Sequence, residues 1–303
     1  MSNGPYFGRV VTAMATPFDE NRRVDEPQAA ALARWLVENG SDGLVIAGTT
    51  GESATLSHDE KVSLFTLVKN AVGDGACLIA NTGTNDTRES IDLTRAAEDT
   101  GVDGILLVAP YYNKPTQEGL YQHFKAIASS TKLPVLLYNV PGRTITNILP
   151  ATVKRLACDV PNILGIKEAS SDLAQISQIA RDAGRGFEVY SGEDGVTLPI
   201  LSIGGVGVIS VTSHVIGNDI RAMHDAFFAG DMDTARELHL KALPLTKALF
   251  STTSPSPVKY ALERMGVIKS GRVRLPLVEL NADERRVVDA ALAEYGVARA
   301  QRV

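Results

Sequence analysis

Eight short runs rich in β-branched residues and leucine punctuate this sequence, and no other feature narrows its fold as much. They read VVTAMAT from Val10, GLVIAG from Gly43, ACLIANT from Ala76, GILLVAP from Gly104, VLLYNVP from Val135, ILGIKEA from Ile163, FEVYSGE from Phe187 and VGVISVT from Val206. Most are nearly continuous apolar stretches rather than alternating ones, as strands buried on both faces are. Stretches of helical period lie between them. Ser57 and Glu60 form an S-x-x-E capping box ahead of Val62, Phe65, Val68 and Val72, and Leu173, Ile176, Ile179 and Ala183 share one face after the sixth run. Buried strands alternating with amphipathic helices predict an α/β protein with a parallel sheet covered by helices, and eight such units close into a (β/α)8 TIM barrel. A doubly wound open sheet is the competing arrangement.

The chain after residue 230 has no strand-like run and reads as two or three helices, one starting near Pro257, where proline suits the first helical turn. No shift in composition precedes it. Residues 1–230 are therefore expected to form the barrel that carries the active site, and residues 231–303 a C-terminal helical extension packed on it. Hydrophobic residues make up 44% of the 303 and charged ones 21%, which suits a globular protein and argues against disorder.

Other classes are disfavoured. A net charge of -5 offers no basic excess for phosphates, so nucleic acid is not an expected partner. No apolar stretch approaches membrane-spanning length, and the opening MSNGPYFGRVVTAMATPF lacks a basic segment followed by a long apolar run, so neither membrane nor export is expected. Cys77 and Cys158, far apart and without a CxxC, read as free thiols in a reducing cytoplasm. The histidines (His58, His123, His214, His224 and His239) include no HxH or HExxH, which disfavours a metal hydrolase. There is no Walker A or GxGxxG motif, and the glycines of IGGVGV precede the eighth run, whereas barrel phosphate sites use loops that follow strands. Neither a metal nor a nucleotide or flavin cofactor is expected.

The sixth run poses a chemical question, because it writes Lys167 into a buried strand. Alternation sets Ile163, Gly165 and Lys167 on one face and Leu164, Ile166 and Glu168 on the other. If the second set meets the helices, Lys167 points into the barrel, where desolvation favours the neutral amine that attacks carbonyls, and Gly165 beneath it leaves space for a small ligand. The plainer reading is a structural lysine paired with a carboxylate or reaching water from the strand end, although lysines are seldom fully buried without a partner or a task.

GTTGES, Gly48 to Ser53, follows the second strand with glycines that let a ligand approach the backbone and hydroxyls that bind a carboxylate or pass a proton; it would also serve as a tight βα turn. Tyr138 ends the fifth strand and Arg143 follows a Pro-Gly turn. A phenol near a Schiff-base lysine can shuttle protons, and an arginine fork can hold a carboxylate, but each also has an ordinary reading as core or solvated loop. Tyr111 and Tyr112 in APYYNKP face opposite ways if their strand continues, one toward the barrel mouth and one outward, and such pairs commonly serve packing.

Taken together, GTTGES, PYYNKPTQEG, YNVPGRT, GIKEAS, SGED and GVISVT, in this order and spacing, resemble the dihydrodipicolinate synthase family, pyruvate-dependent class I aldolases that include N-acetylneuraminate lyase. The resemblance runs from about Arg9 to the end of the chain. It implies that Lys167 forms a Schiff base with pyruvate, that the imine is the electron sink and that no cofactor is needed. It further implies that Tyr138 is the general acid/base and that Thr49 and Tyr112 complete a proton relay, Tyr112 being lent by a neighbouring subunit. By the same resemblance Thr50 would bind the pyruvate carboxylate, Arg143 would hold the carboxylate of the aldehyde, and Gly192 and Ile209 would line the site.

GTTGE and the arginine of YNVPGRT resemble the synthase branch, which condenses pyruvate with L-aspartate 4-semialdehyde to 4-hydroxy-tetrahydrodipicolinate for lysine and diaminopimelate synthesis. A sugar-acid lyase of the same family is the alternative, and a non-catalytic keto-acid-binding barrel a more distant one. A homotetramer built as a dimer of dimers follows from the same resemblance, though dimers exist. The family's regulatory lysine site maps onto Ser53, Ala54, His58, Lys61, Asn85, Glu89 and Tyr111. Lys61 stands where strongly regulated members often have histidine, and its cation would repel a lysine side chain, so weak or partial inhibition is expected. SPSPVK, Ser254 to Lys259, where many relatives begin with Asn or Gly, lies in the extension and is assigned no chemistry.

Overall fold

A computed structural model describes residues 4–297. The strands β1 (Val10–Ala13), β2 (Gly43–Ile46), β3 (Cys77–Asn81), β4 (Gly104–Val108), β5 (Val135–Asn139), β6 (Ile163–Glu168), β7 (Glu188–Ser191) and β8 (Gly207–Ser210) succeed one another in chain order around a closed barrel. Each begins within about one residue of an apolar run in the sequence. The barrel, not the doubly wound sheet, is the fold. Helices α1 (Glu26–Glu38), α2 (His58–Val72), α3 (Thr87–Glu98), α4 (Gln117–Ala128), α5 (Pro141–Thr144), α6 (Pro150–Asp159), α7 (Leu173–Asp182), α8 (Thr197–Ser202) and α9 (Ser213–Ala229) follow the strands, and α10 (Met232–Leu249), α11 (Ser256–Met265) and α12 (Ala282–Tyr295) make up the C-terminal part.

Local chemistry explains the helix starts. Asp25, Asp86, Thr116, Asp172 and Asp231 accept from first-turn N–H groups, and Ser57 with Glu60 and Asn281 with Glu284 form capping boxes. Pro257 lies in the first turn of α11, where its missing N–H goes unneeded. The apolar face of α2 is rotated from the expected one: Lys61, Leu64, Phe65 and Val68 are buried, while Val62 and Val72 are half-buried. In α7 the buried positions are Gln175, Ile176 and Ile179, and Leu173, the first residue of the helix, is exposed.

Internal contacts gather the chain into two compact units. The first joins the residues before Val10 to Cys77–Ile209. Its strands pair in parallel from β3 to β8, with Tyr138 opposite Lys167 and Asn139 opposite Glu168. Gly165 is tightly enclosed: a β-carbon there would lie 2.3 Å from the Glu188 carbonyl oxygen and 3.0 Å from Leu136 Cδ2. This glycine serves strand packing and leaves no room for a ligand, contrary to the expectation from alternation alone. The second unit joins Val10–Ala76 to the chain after Ile209, with β1 and β2 paired in parallel.

Candidate active site

The first unit brings Lys167 and Tyr138 together. They end adjacent strands in register, so the twofold pleat turns both side chains to one face, where Lys167 Nζ stands 4.3 Å from the centre of the Tyr138 ring. Both are buried. Asn139 and Glu168 point to the opposite face, where Gln175 of α7 reaches Glu168, so it is the second set of β6 residues that meets the helices. Gly192 follows β7, and its N–H donates to the Glu168 carbonyl at 2.7 Å. A β-carbon there would come within 2.7 Å of Ala169 Cβ and 3.1 Å of Lys167 Cε, so a bare glycine is what lets this turn lie against the lysine stem. Ile209 is buried in β8.

Glu193 directly follows Gly192 and is an acidic residue to which sequence reasoning assigned no role. Burial, and secondarily the charge of Asp194, push its carboxyl above the usual range, while the cations of Lys167 and Arg143 pull it back. The signal available was the acidic pair in SGED directly after a barrel strand, quoted above for resemblance but given no role.

Arg143 belongs to α5, a four-residue helical turn rather than a Pro-Gly turn; its N–H donates to the Val140 carbonyl at 2.9 Å, and its side chain is exposed. Tyr111 and Tyr112 lie beyond the end of β4, so strand alternation does not govern them. Tyr112 takes a left-handed backbone (φ 72°) with its side chain 90% exposed. Its loop is tied down by Asn85 Nδ2 donating to the Tyr111 carbonyl at 3.2 Å and Asn113 Nδ2 donating to the Asn85 carbonyl at 2.8 Å.

The second unit holds the Gly48–Ser53 turn. Thr50 is buried and Thr49 half-buried; the Glu52 N–H donates to the Thr49 carbonyl at 3.1 Å, and the Thr16 hydroxyl donates to the Gly51 carbonyl at 2.7 Å. Glu52 adopts the left-handed conformation (φ 57°) and is held there by a buried ion pair, Lys259 Nζ lying 2.7 Å from its Oε1, and by the Arg274 N–H donating to Oε2 at 2.9 Å. Burial pushes the Lys259 ammonium down to about 8, with the Glu52 charge acting the other way. The Phe18 ring lies 4.1 Å from Lys259 Nζ and 4.5 Å from the Arg274 guanidinium, which forks both oxygens of Glu60 at 2.8 and 2.7 Å. SPSPVK, assigned no chemistry from its sequence, thus supplies through Lys259 the counter-ion that anchors the GTTGES turn.

Of the residues mapped to a regulatory site, Asn85, Glu89 and Tyr111 are neighbours in the first unit. Burial and, next, the Glu89 charge hold the Tyr111 hydroxyl above its ordinary range. In the second unit Ser53 opens a single 3-10 turn, Ala54 is exposed, His58 is the first residue of α2 and Lys61 is buried on that helix. Among the described residues no group of three or more His, Cys, Asp or Glu side chains is placed to hold a metal ion, and no helix is long and apolar enough to cross a membrane.

Comparison with known proteins shows the family. The model of the dihydrodipicolinate synthetase family matches residues 6–295. A 4-hydroxy-tetrahydrodipicolinate synthase of Moorella thermoacetica is 55% identical over 96% of this chain and 99% of its own. Among solved structures, a dihydrodipicolinate synthase of Bacillus anthracis superposes with a TM-score of 0.93 at 48% identity, covering 95% of this chain and 98% of its own. The DHDPS of Cyanidioschyzon merolae, solved with lysine bound, has a TM-score of 0.94 at 44% identity, covering 97% and 99%.

Proposed function

The chain is an enzyme of the dihydrodipicolinate synthetase family, and from that premise we propose that it condenses pyruvate with L-aspartate 4-semialdehyde to 4-hydroxy-tetrahydrodipicolinate, a step toward lysine and diaminopimelate. The observation that carries this reading is the amine of Lys167 set 4.3 Å from the Tyr138 ring at the ends of two adjacent strands.

The neutral Lys167 amine attacks C2 of pyruvate and loses water to form an imine, which in its protonated form draws electrons from the adjacent methyl group. Loss of a methyl proton gives an enamine whose carbon attacks the aldehyde, and the aldehyde oxygen takes up a proton. Tyr138 is the group that passes protons, with Thr49 and a neighbouring subunit's Tyr112 as its relay to solvent. The amine of the bound semialdehyde then attacks C2, frees Lys167 and closes the ring, so that one water is released overall. Thr50 receives the pyruvate carboxylate, Arg143 the aldehyde's, and Gly192 and Ile209 wall the site. No cofactor enters, because the imine is itself the electron sink. The 90% exposure of Tyr112 supports a homo-oligomer, proposed as a dimer of dimers, and the cytoplasm is the proposed compartment. Lysine is proposed to inhibit weakly through Ser53, Ala54, His58, Lys61, Asn85, Glu89 and Tyr111.

The test is turnover of the two substrates, followed through a coupled reductase, with Lys167→Ala beside the wild type. Activity lost in the variant is the expected result. A folded wild type with no turnover of the semialdehyde overturns the synthase assignment and turns attention to sugar-acid substrates.

A further inference from the structure

Directly behind the nucleophile the chain buries a carboxylate among neutral partners. The Glu168 side chain is 0% exposed, and its oxygens accept from Asn139 Nδ2 at 3.1 and 3.0 Å, from Gln175 Nε2 at 3.2 Å and from the Ser170 N–H at 2.8 Å. Asn139 Nδ2 also donates to Asn147 Oδ1 at 2.8 Å, and Asn139 Oδ1 accepts the Ile148 N–H at 2.9 Å. Asn147 Nδ2 donates to Gln175 Oε1 at 2.8 Å. Gln117 grips the same stretch from α4, its Nε2 donating to the Asn147 carbonyl at 2.8 Å.

Burying a charge without a counter-ion is costly, and a carboxylate is tolerated only when its lone pairs are met by hydrogen bonds. The Asn139, Gln175 and Ser170 N–H groups all donate to it, so a neutral amide at position 168 would turn one of its own N–H groups toward other donors. The placement of these partners is also specific. Glu168 follows Lys167 and Asn139 follows Tyr138, so hydrogen bonds on the helix side of β5 and β6 fix the inward pair without touching it. Asn147 and Ile148 lie just beyond α5, the turn that carries Arg143.

We infer that Glu168, Asn139 and Asn147 are positioning residues: one carboxylate-centred clamp that sets Lys167 against Tyr138 and holds the Arg143 turn to the same strand ends. The inference takes its chemical roles from the function proposed above. It predicts that damage at different points of the clamp has different kinetic signatures. Asn147→Ala, at a half-buried position, raises KM for the semialdehyde roughly tenfold and leaves KM for pyruvate within about twofold. Glu168→Gln lowers kcat roughly tenfold to a hundredfold. The exchange Glu168→Gln/Asn139→Asp restores a carboxylate facing an amide and recovers at least about tenfold of that loss.

Hydrogen exchange at the Ile148 amide reads the clamp without any turnover: its protection falls in each single variant and returns in the exchanged pair. An exchanged pair no better than Glu168→Gln overturns the inference, as does Ile148 protection unchanged in Asn147→Ala, or equal rises in both KM values. A wild type inactive on these substrates whose variants still lose and regain Ile148 protection overturns the synthase reading and upholds the clamp. If Glu168→Gln does not fold, Asn147→Ala carries the test alone.

Discussion

Replacing Lys259 by methionine keeps most of the side-chain volume and removes its charge, which makes it a direct probe of how the extension holds the turn after β2. Lys259 Nζ lies 2.7 Å from Glu52 Oε1, with the lysine 0% exposed. At that separation the pair attracts by about 6 kcal/mol at an effective dielectric of about 20, and both groups have given up hydration for it. Methionine strands the Glu52 carboxylate with the Arg274 N–H at 2.9 Å as its remaining hydrogen bond, and breaking such a pair costs about 3–5 kcal/mol. Unfolding entropy of about 2.1 cal/mol/K per residue amounts to about 0.6 kcal/mol/K for a chain of this length, so Tm falls by roughly 5 to 8 °C. Calorimetry at pH 7 measures this directly. Because the cost lies in the stranded charge, Glu52→Gln/Lys259→Met recovers more than half of the loss. A single variant within about 1 °C of the wild type, or a double variant no better than the single, refutes the reasoning.

Acid sensitivity follows from two buried imidazoles. His214, whose Nε2 accepts the Ala15 N–H at 3.1 Å, and His123 are both pushed down to about 4, chiefly by burial. Their folded values lie below the unfolded one, so as pH falls the unfolded chain takes up protons first: stability is complete above about 6.5 and lost toward pH 4, by about 3 kcal/mol for each histidine. Thermal unfolding between pH 7 and 4.5 checks the slope, and a flat profile contradicts it. Gly192→Ala puts a methyl group against Ala169 and the Lys167 stem, so the protein should fold while its imine with pyruvate forms at least about tenfold more slowly by stopped-flow trapping; an unchanged rate places Gly192 outside the site. Tyr112→Phe should leave Tm within about 1 °C, since the ring is 90% exposed, but lower kcat at least about tenfold if its hydroxyl belongs to the relay.

The barrel was legible because each strand is apolar through its length and bounded by polar turns, so all eight beginnings could be read off short windows such as Gly43–Ile46 and Gly104–Val108. The facing of Lys167 away from the helices was legible for the same local reason, since the pleat repeats every two residues and Glu168 had to point the other way. What escaped depends on partners distant in sequence or on backbone states that periodicity does not encode. Glu52 and Lys259 are 207 positions apart, and nothing near either announces the other. The Asn139–Glu168–Gln175 cluster spans two strands and a helix, and its members read individually as ordinary polar residues. The face α2 buries includes Leu64 rather than Val62, and Gly165, read as a space, is filled by Leu136 and the neighbouring strand. Tyr112 escaped the alternation rule because β4 stops at Val108.

Covalent trapping tests whether Lys167 carries pyruvate as an imine, without depending on the acceptor. The protein is incubated with pyruvate and borohydride, digested, and its peptides are weighed. One reduced pyruvate adduct is expected on the peptide containing Lys167, absent from Lys167→Ala and slowed in Tyr138→Phe. A wild type that stays unmodified, or an adduct that persists on another lysine in Lys167→Ala, contradicts it.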